Sequence, residues 1–415
     1  MNIIWILFRI LDWTLFAFVA MTVIYMLIFA IASFFAHRPE VQKSKHYNRF
    51  IVLIPAYHQD QTIIQTVNAM LGQNYPQRMF DIVVISDHQK EMTNMMLAQM
   101  PITLLTPNFE RSTKAKSLQY AILNLPQFKI YDAVIILDAG NIVEPEFLEQ
   151  VNDAYETAGT KVIQTHRVPR NRDTSAARLD AIFEEINNAV FRRGHLTLGL
   201  SAAVNGSGTI YDFEWFKRNI MKVRSATSED KELEALIMRE GIYIDYFDNI
   251  RVYSEKVRNI YDFNAQRAHW ISSQLHVLIG NLRYLPSTIL NRRYDHMDKL
   301  IQWLLVPRTI MMGFILIMSL VVPYFYFTEG IKWWVAGALA MLAFSLATPD
   351  ELVDENWDKD FLKAPLLTLW GLINIARAGK TEANVRLSAL ARMFHGMLPQ
   401  KKHKNAITKS KQKRQ

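Results

Sequence analysis

The sequence predicts an α/β domain with a mostly parallel sheet, held at a membrane by apolar helices. From residue 49 onwards, short apolar runs alternate with amphipathic segments of helical period, which is typical of such a sheet. Three other stretches, 13–36, 309–327 and 333–349, are apolar over roughly the 20 residues that span a bilayer. We therefore expect a soluble domain placed between membrane-spanning segments.

Composition narrows the chemistry that this chain can perform. Of its 415 residues, half are hydrophobic and 21% are charged, which suits a soluble domain joined to membrane helices. The absence of cysteine excludes a disulfide framework, a thiolate metal site and a cysteine nucleophile. The net charge is +8, and basic residues crowd the ends of the apolar stretches and the tail 401–415. This distribution favours a membrane surface and phosphorylated substrates as partners over nucleic acid.

The alternating elements can be assigned in chain order. We predict strands at 49–57, 81–88, 102–107 and 133–140, and helices at 62–73 and 114–125. The predicted strands end in Tyr57, Asp87 and Asp138, and ligands of such sheets bind at the carboxyl ends of strands. We therefore expect a binding site at this edge. A later helical segment, 178–194, has an apolar face that indicates packing surface, not a site.

The orientation of the membrane segments follows from the placement of lysine and arginine. Basic residues follow the first stretch and precede the second, at Arg38, Lys43, Lys45, Arg49, Arg292, Arg293, Lys299 and Arg308. Because positive loops stay inside, the region between these stretches and the basic tail are both predicted to be cytoplasmic. The apolar segment 364–376 has only about 13 residues, so it is better suited to lie on the membrane than to span it.

A series of motifs follows in one order along the chain. They read VLIPAYHQDQTI, VVISDH, RSTKAKSL, LDAGNIVEPEFL, VNGSGTIY, TSEDKELEALIMREG and QRAHW. In this order the chain resembles the membrane-bound inverting glycosyltransferases of family two, which are relatives of cellulose, chitin and hyaluronan synthases. The resemblance covers about residues 1–350. It implies a GT-A-like domain that binds a nucleotide sugar.

The resemblance also assigns residues to the sugar donor. The donor site would comprise Pro55, Tyr57, Asp87, Lys114, Asp138 and His269. Asp87 would accept hydrogen bonds from uracil, although by itself it is equally consistent with a loop cap after a strand. Lys114 would either contact the diphosphate or support Asp87. Asp138 would face the ribose and a bound metal ion.

Catalysis and acceptor binding are implied by the later motifs. Asp230 would be the general base, with Glu229 beside it. The acceptor would contact Gly206, Gly208, Gln266 and Trp270. Taken alone, the run 227–230 reads as a helix N-terminus, where hydroxyls cap and acids suit the helix dipole. Capping and catalysis can coexist at this helix end.

Two departures from the family pattern affect the same group, the diphosphate and its metal. Gly140 replaces the second acid of the Asp-x-Asp motif, and we expect it to take a positive φ in a turn. His269 replaces an arginine and cannot reproduce a guanidinium fork. Asp138, with the amide oxygen of Asn141, would bind Mg²⁺ or Mn²⁺ only weakly.

The combined expectation is an integral membrane enzyme whose catalytic domain faces the cytoplasm. It would transfer a sugar from a UDP-sugar, with inversion, to a cell-surface saccharide or lipid-linked acceptor. Two alternatives stay open: a degenerate homologue that binds nucleotide sugar or acts as a scaffold, and a processive polysaccharide synthase. The predicted regions are a membrane anchor (1–40), a glycosyltransferase domain (45–272), interfacial helices (273–305), two transmembrane helices (306–350), an amphipathic or interfacial region (351–400) and a basic tail (401–415).

Overall fold

An eight-stranded sheet lies at the centre of the soluble part of the protein. The computed structural model describes residues 3–36, 41–126, 128–224 and 228–353. Within these ranges the strands are β1 (Phe50–Tyr57), β2 (Phe80–Asp87), β3 (Thr103–Leu105), β4 (Ala133–Ile136), β5 (Ile142–Val143), β6 (Val162–Pro169), β7 (Thr209–Asp212) and β8 (Ile244–Ser254).

The strand order is β3-β2-β1-β4-β7-β6-β8-β5. The four strands predicted from the sequence, β1 to β4, pair in parallel, which confirms the predicted parallel sheet in this half. In the other half, β7 runs antiparallel to both β4 and β6, β8 is parallel to β6, and β5 is antiparallel to β8. The whole sheet is therefore mixed, and its parallel half carries the strand ends at which a ligand is expected.

Helices cover the sheet and connect it to three long apolar helices. The helices of the soluble part are α2 (Ile63–Leu71), α3 (Glu91–Ala98), α4 (Lys114–Leu123), α5 (Phe147–Ala158), α6 (Ser175–Asn188), α7 (Gly194–Thr197), α8 (Phe213–Ile220), α9 (Glu229–Glu240), α10 (Ile260–Leu282), α11 (Leu285–Leu290) and α12 (Tyr294–Leu304). The three long apolar helices are α1 (Ile3–Phe34), α13 (Arg308–Phe325) and α14 (Phe327–Ala347). A π-helical turn, Ala189–Arg193, joins α6 to α7.

Both faces of the parallel half are buried, as the near-continuous apolar runs of these strands predict. Along β1, Phe50, Val52 and Ile54 pack into one apolar core beneath α2 and α5. The alternate residues Ile51 and Leu53 pack into a second core with α4, α8 and α9. A strand alternates its side chains between two faces, so this placement requires helices on both sides of the sheet.

The helices α1, α13 and α14 are each long and apolar enough to span a membrane. The loop predicted between the last two spans is wrong, because its residues TEGIK belong to the first turns of α14. Charged side chains there are paired with α1: Glu329 accepts from Arg9 at 2.7 Å, and Lys332 bonds to Asp12. These pairs link the first turns of α14 to α1 and leave neither charge unpaired.

Helix α6 packs between the sheet and the long apolar helices. The predicted packing face of segment 178–194 is confirmed, since Leu179, Ile182 and Ile186 are buried against residues of α1 and α13. The same segment also contributes Glu184 and Arg192 to the lining of a cavity, so its polar side chains do not serve packing alone. The predicted interfacial region 351–400 and basic tail lie almost wholly outside the described residues, as does segment 364–376.

Candidate active site

The carboxyl ends of β1 and β2 bring Tyr57 and Asp87 side by side as register partners. Asp87 is 1% exposed, and its Oδ1 lies 2.5 Å from Nδ1 of His88. Its Oδ2 is buried and has no hydrogen-bond partner in the part of the chain that the structure describes. Leaving a buried carboxylate oxygen unpaired costs free energy, so Asp87 is suited to accept a hydrogen bond from a ligand.

Two histidines that sequence analysis did not single out complete this strand edge. His58 and His88 follow β1 and β2, and their φ angles of 51° and 56° lie in the left-handed region that few non-glycine residues adopt. The ring centroid of Tyr57 lies 4.4 Å from that of His58 and 5.7 Å from that of His88. The sequence could have indicated these two histidines as site residues, because each directly follows the carboxyl end of a strand.

Lys114, the first residue of α4, connects the strand ends to a second set of carboxylates. Its Nζ lies 2.5 Å from Oδ1 of Asp138, 2.8 Å from the carbonyl oxygen of Gly206 and 3.3 Å from Oε1 of Glu229. Burial lowers the pKa of Lys114, but the carboxylates of Asp138 and Glu229 more than offset it, so this pKa is raised. Lys114 therefore stays a cation. The sequence left two roles open for Lys114, contact with the diphosphate or support of Asp87. Its contacts do not include Asp87, so they do not favour the second role.

Glu229 and Asp230 occupy the first turn of α9, as the helix-terminus interpretation predicted. Ser228 is the N-cap residue, and Thr227 lies outside the described residues. Burial raises the pKa of Glu229, and the charge of Asp230 adds to this effect while Lys114 opposes it. Gly206, at φ 76°, passes so close that an added Cβ would lie 3.2 Å from Cβ of Asp230. Glycine is therefore favoured there by its conformation, and a larger residue would also have to displace the side chain of Asp230.

A cavity of about 430 Å³ brings these groups together with helix α10. Its lining includes Lys114, Asp138, Gly206, Glu229 and Asp230 from the sheet side, and Gln266, His269 and Trp270 from α10. A second cavity, at the strand ends, is lined by Pro55, Tyr57, Asp87, Lys114 and Asp138, among others. The two cavities thus share Lys114 and Asp138.

The side chains of α10 that line the larger cavity differ in their contacts. Oε1 of Gln266 is buried without a hydrogen-bond partner among the described residues. The ring of Trp270 is covered on one side by the guanidinium group of Arg267, 4.5 Å from the ring centroid. Gly208, by contrast, lines neither cavity. It lies within the sheet, where an added Cβ would come within 2.3 Å of Oγ1 of Thr165, and this position does not favour the predicted acceptor contact.

The family model described as "Glycosyltransferase like family 2" matches residues 48–273, which is more than half of the chain. The chain belongs to this family. The matched range begins just before β1 and ends within α10, so it includes the strand-end residues, Lys114, Asp230 and the residues of the QRAHW motif.

The fold is similar to that of a solved glycosyltransferase structure. The mannosyltransferase PcManGT from Pyrobaculum calidifontis, in complex with GDP-Man and Mn²⁺, is 13% identical, with a TM-score of 0.51, over 86% of this chain and 99% of that one. Residues 1–349 of TarS from S. aureus are 16% identical, with a TM-score of 0.41, over 80% of this chain and 92% of that one. No curated protein matches this chain.

The expected metal site of this glycosyltransferase is sparse. Gly140 takes a φ of 98°, as predicted, and its backbone nitrogen donates to Oγ1 of Thr66 at 2.8 Å. Asn141 is 5% exposed, and its amide nitrogen donates to Oγ of Ser207 at 2.6 Å. Among the described residues, no cluster of three histidine or acidic side chains is placed to hold a metal ion. Asp138, with a side chain that is 36% exposed, is the accessible ligand of the predicted pair.

Proposed function

We propose that this glycosyltransferase takes a UDP-sugar and forms a β-glycosidic linkage, with inversion, on a saccharide or lipid-linked acceptor. The observation that carries this proposal is the pairing of the two cavities through Lys114 and Asp138. On one side the unpaired oxygen of Asp87 offers an acceptor to a nucleotide base. On the other side Asp230 lies beside an aromatic and amide surface suited to a sugar acceptor.

The proposed reaction is a direct displacement. Asp230 removes the proton from an acceptor hydroxyl, whose oxygen attacks the anomeric carbon of the donor. The bond between that carbon and the phosphate oxygen breaks, and UDP leaves with the electron pair. Lys114 supplies positive charge where the leaving diphosphate gains negative charge. His269 is also predicted to contact the diphosphate, but it lines only the larger cavity, on the α10 side.

A divalent ion fits this site only if the donor supplies most of its ligands. Asp138 provides one carboxylate, one oxygen of which already accepts from Lys114. Mg²⁺ commonly binds through one or two carboxylates together with substrate phosphates, so the remaining oxygens would come from the diphosphate. When bound, Mg²⁺ or Mn²⁺ would neutralise the leaving group. The presence of Mn²⁺ in the PcManGT complex supports metal use but concerns that protein.

The proposed topology places the region 41–302 and the C-terminal tail in the cytoplasm. The basic residues at the ends of the apolar helices support it, because positive loops remain inside. Reporter fusions after residues 45 and 405 should both give an inside signal. An outside signal at 45 would contradict the proposal, since the donor is made in the cytoplasm.

The decisive experiment is a donor survey with the purified full-length protein in detergent. We expect UDP to bind more tightly than GDP, and one UDP-sugar to be transferred or slowly hydrolysed with release of UDP. GDP is the informative comparison because PcManGT was solved with GDP-Man. Tighter binding of GDP would contradict the assigned role of Asp87. Binding of UDP with no turnover of any donor or metal would favour the degenerate homologue, and long products from a single round would favour the processive synthase.

A further inference from the structure

The larger cavity has a second group of charged residues besides those already described. Four arginines line it, namely Arg167, Arg192, Arg267 and Arg308. The same cavity is lined by Thr22 and Met26 of the membrane helix α1 and by Thr309 of α13. It therefore extends from the carboxylates of α9 to the helices that enter the membrane.

The positive charge of this arginine group exceeds the negative charge around it. Asp180 pairs with Arg267 at 2.5 Å, and Glu184 lies 3.6 Å from Arg192. Glu184 is also shared with the buried Lys256, at 3.5 Å. Two carboxylates thus accompany four arginines and one lysine, whereas Asp138 and Glu229, which also line the cavity, pair with Lys114.

Two of the arginines are held by amides and not by carboxylates. Nη1 of Arg167 donates to Oδ1 of Asn205 at 3.2 Å, and Nη2 of Arg308 donates to Oδ1 of Asn187 at 2.7 Å. An amide fixes the position of a guanidinium group without neutralising it. Arg167 and Arg308 therefore keep their charge available to a ligand.

Three N–H groups of these arginines have no hydrogen-bond acceptor among the described residues. Nε of Arg167, Nε of Arg267 and Nη1 of Arg308 are buried and lack an acceptor within the described residues. The guanidinium carbons of Arg267 and Arg308 lie 5.2 Å and 5.3 Å from the centroid of the same ring, that of Phe183. Buried donors are normally satisfied, so several unsatisfied arginine donors around one cavity indicate a missing anion.

The donor diphosphate does not account for this anion. The strand-end cavity, which contains Asp87, shares Lys114 and Asp138 with the larger cavity but none of the four arginines. Arg308 begins the membrane helix α13, whereas Lys114 begins α4 on the sheet. The arginine group therefore lies in the larger cavity and not at the strand ends that would hold the nucleotide.

We propose that the four arginines bind the phosphate of a membrane-borne acceptor, a saccharide attached through phosphate to a polyprenyl lipid. This proposal rests on the proposed transferase function and selects the lipid-linked acceptor from its alternatives. The phosphate is held near the start of α13, the lipid chain lies along α1 and α13, and the saccharide hydroxyl reaches Asp230. Arginine suits this task because its planar fork binds phosphate oxygens in pairs.

The test uses the full-length protein in nanodiscs of a neutral phospholipid. A radiolabelled medium-chain polyprenyl monophosphate is the probe, the uncharged polyprenol is its competitor, and UDP affinity is measured on the same sample. We expect saturable binding of the phosphate that the polyprenol does not displace. Arg308→Gln and Arg267→Gln should each weaken this binding at least ten-fold while UDP affinity is kept, because each removes a charge-assisted contact.

Two further variants make the result interpretable. Arg283→Gln removes an exposed cation near the end of α10 that lines neither cavity, and it should leave binding of the lipid phosphate unchanged. Arg308→Lys keeps the charge but not the fork, and it should recover part of the affinity if Arg308→Gln acts on the site and not on folding.

Several outcomes would overturn the inference. Equal competition by the polyprenol would show that the lipid chain alone is recognised. Displacement by phosphatidylglycerol would show a general site for anionic lipids. A loss of UDP affinity in Arg308→Gln equal to the loss of lipid-phosphate binding would assign the arginine to the donor. If the wild type binds the lipid phosphate but not UDP, the proposed donor function fails while the anion site stands.

Discussion

Nζ of Lys114 lies 2.5 Å from Oδ1 of Asp138, although Lys114 begins α4 and Asp138 lies in the segment between β4 and Gly140. The same ammonium group lies 3.3 Å from Glu229 at the start of α9. One partly buried cation is therefore paired with a carboxylate on the donor side and with another beside the proposed base. A donor diphosphate entering the site would compete for this cation.

Asp230→Asn should abolish sugar transfer while UDP binding is kept. The amide preserves the shape of the side chain but cannot accept a proton, and a general base contributes roughly 10²–10⁴-fold to a rate. Transfer rate and UDP affinity, measured on the same preparation, check this. Glu232→Gln is the matched control, since Glu232 lies in the same helix turn but lines neither cavity. Parental activity in Asp230→Asn would show that the base lies elsewhere.

Asp87→Ala should weaken UDP binding before it affects any later step. The variant removes a hydrogen bond between the ligand and a charged group, which is worth about 1.5–3 kcal/mol, or roughly ten-fold to a hundred-fold in affinity. Asp81→Ala is the matched control on the same strand. Asp81 lies at the opposite end of β2, where it bonds to Lys129 and Tyr131. Isothermal titration calorimetry with UDP and GDP would measure the affinities. If Asp87→Ala and Asp81→Ala lost the same UDP affinity, the role of Asp87 in binding the base would be contradicted.

Gly140→Asp and Gly140→Ala together test the metal site. Both add a Cβ at φ 98°, within 3.3 Å of Oγ1 of Thr62, so both should lose about 1–3 kcal/mol of stability. Only the aspartate adds a carboxylate near Asp138. We therefore expect Gly140→Asp to need less Mn²⁺ than Gly140→Ala for half-maximal activity. Identical metal requirements, or full activity of the parent in excess chelator, would exclude a metal role for this turn.

Lys332→Met should strongly destabilise the packing of α1 against α14. Asp12 is 4% exposed, bonds to Lys332, and accepts from Nε1 of Trp333 at 2.9 Å. Removing the lysine leaves a buried charge unpaired, at a cost of about 3–5 kcal/mol. The double variant Asp12→Asn/Lys332→Met should recover most of this loss.

Thermal unfolding in detergent would measure these effects. Lys43→Met is a suitable control, because Lys43 pairs with Glu149 while its side chain is 80% exposed, and no measurable shift is expected. If Lys332→Met unfolds at the parental temperature, the ion pair contributes nothing to helix packing.

The sequence by itself determined the elements whose signal is local. Apolar runs bounded by polar residues predicted β1 to β4, and the length of the apolar stretches predicted three spanning helices. Parallel strands end at a common edge, so the proximity of Tyr57 and Asp87 also followed from the pattern. The positive φ of Gly140 followed from its place in a turn after a strand.

Only the tertiary structure decided how distant segments meet. The sequence does not indicate that the charges of TEGIK are paired with α1, because their partners Arg9 and Asp12 lie about 320 positions earlier in the chain. Likewise, the unpaired donors of Arg167, Arg267 and Arg308 converge on one cavity although these residues are far apart in sequence. Hydrogen-bond satisfaction depends on three-dimensional neighbours, so it cannot be read from composition or periodicity. The contacts of Lys114 could not be read from the sequence either. Lys114 contacts Asp138 and Glu229 and not Asp87 because of how α4 and α9 pack around the sheet.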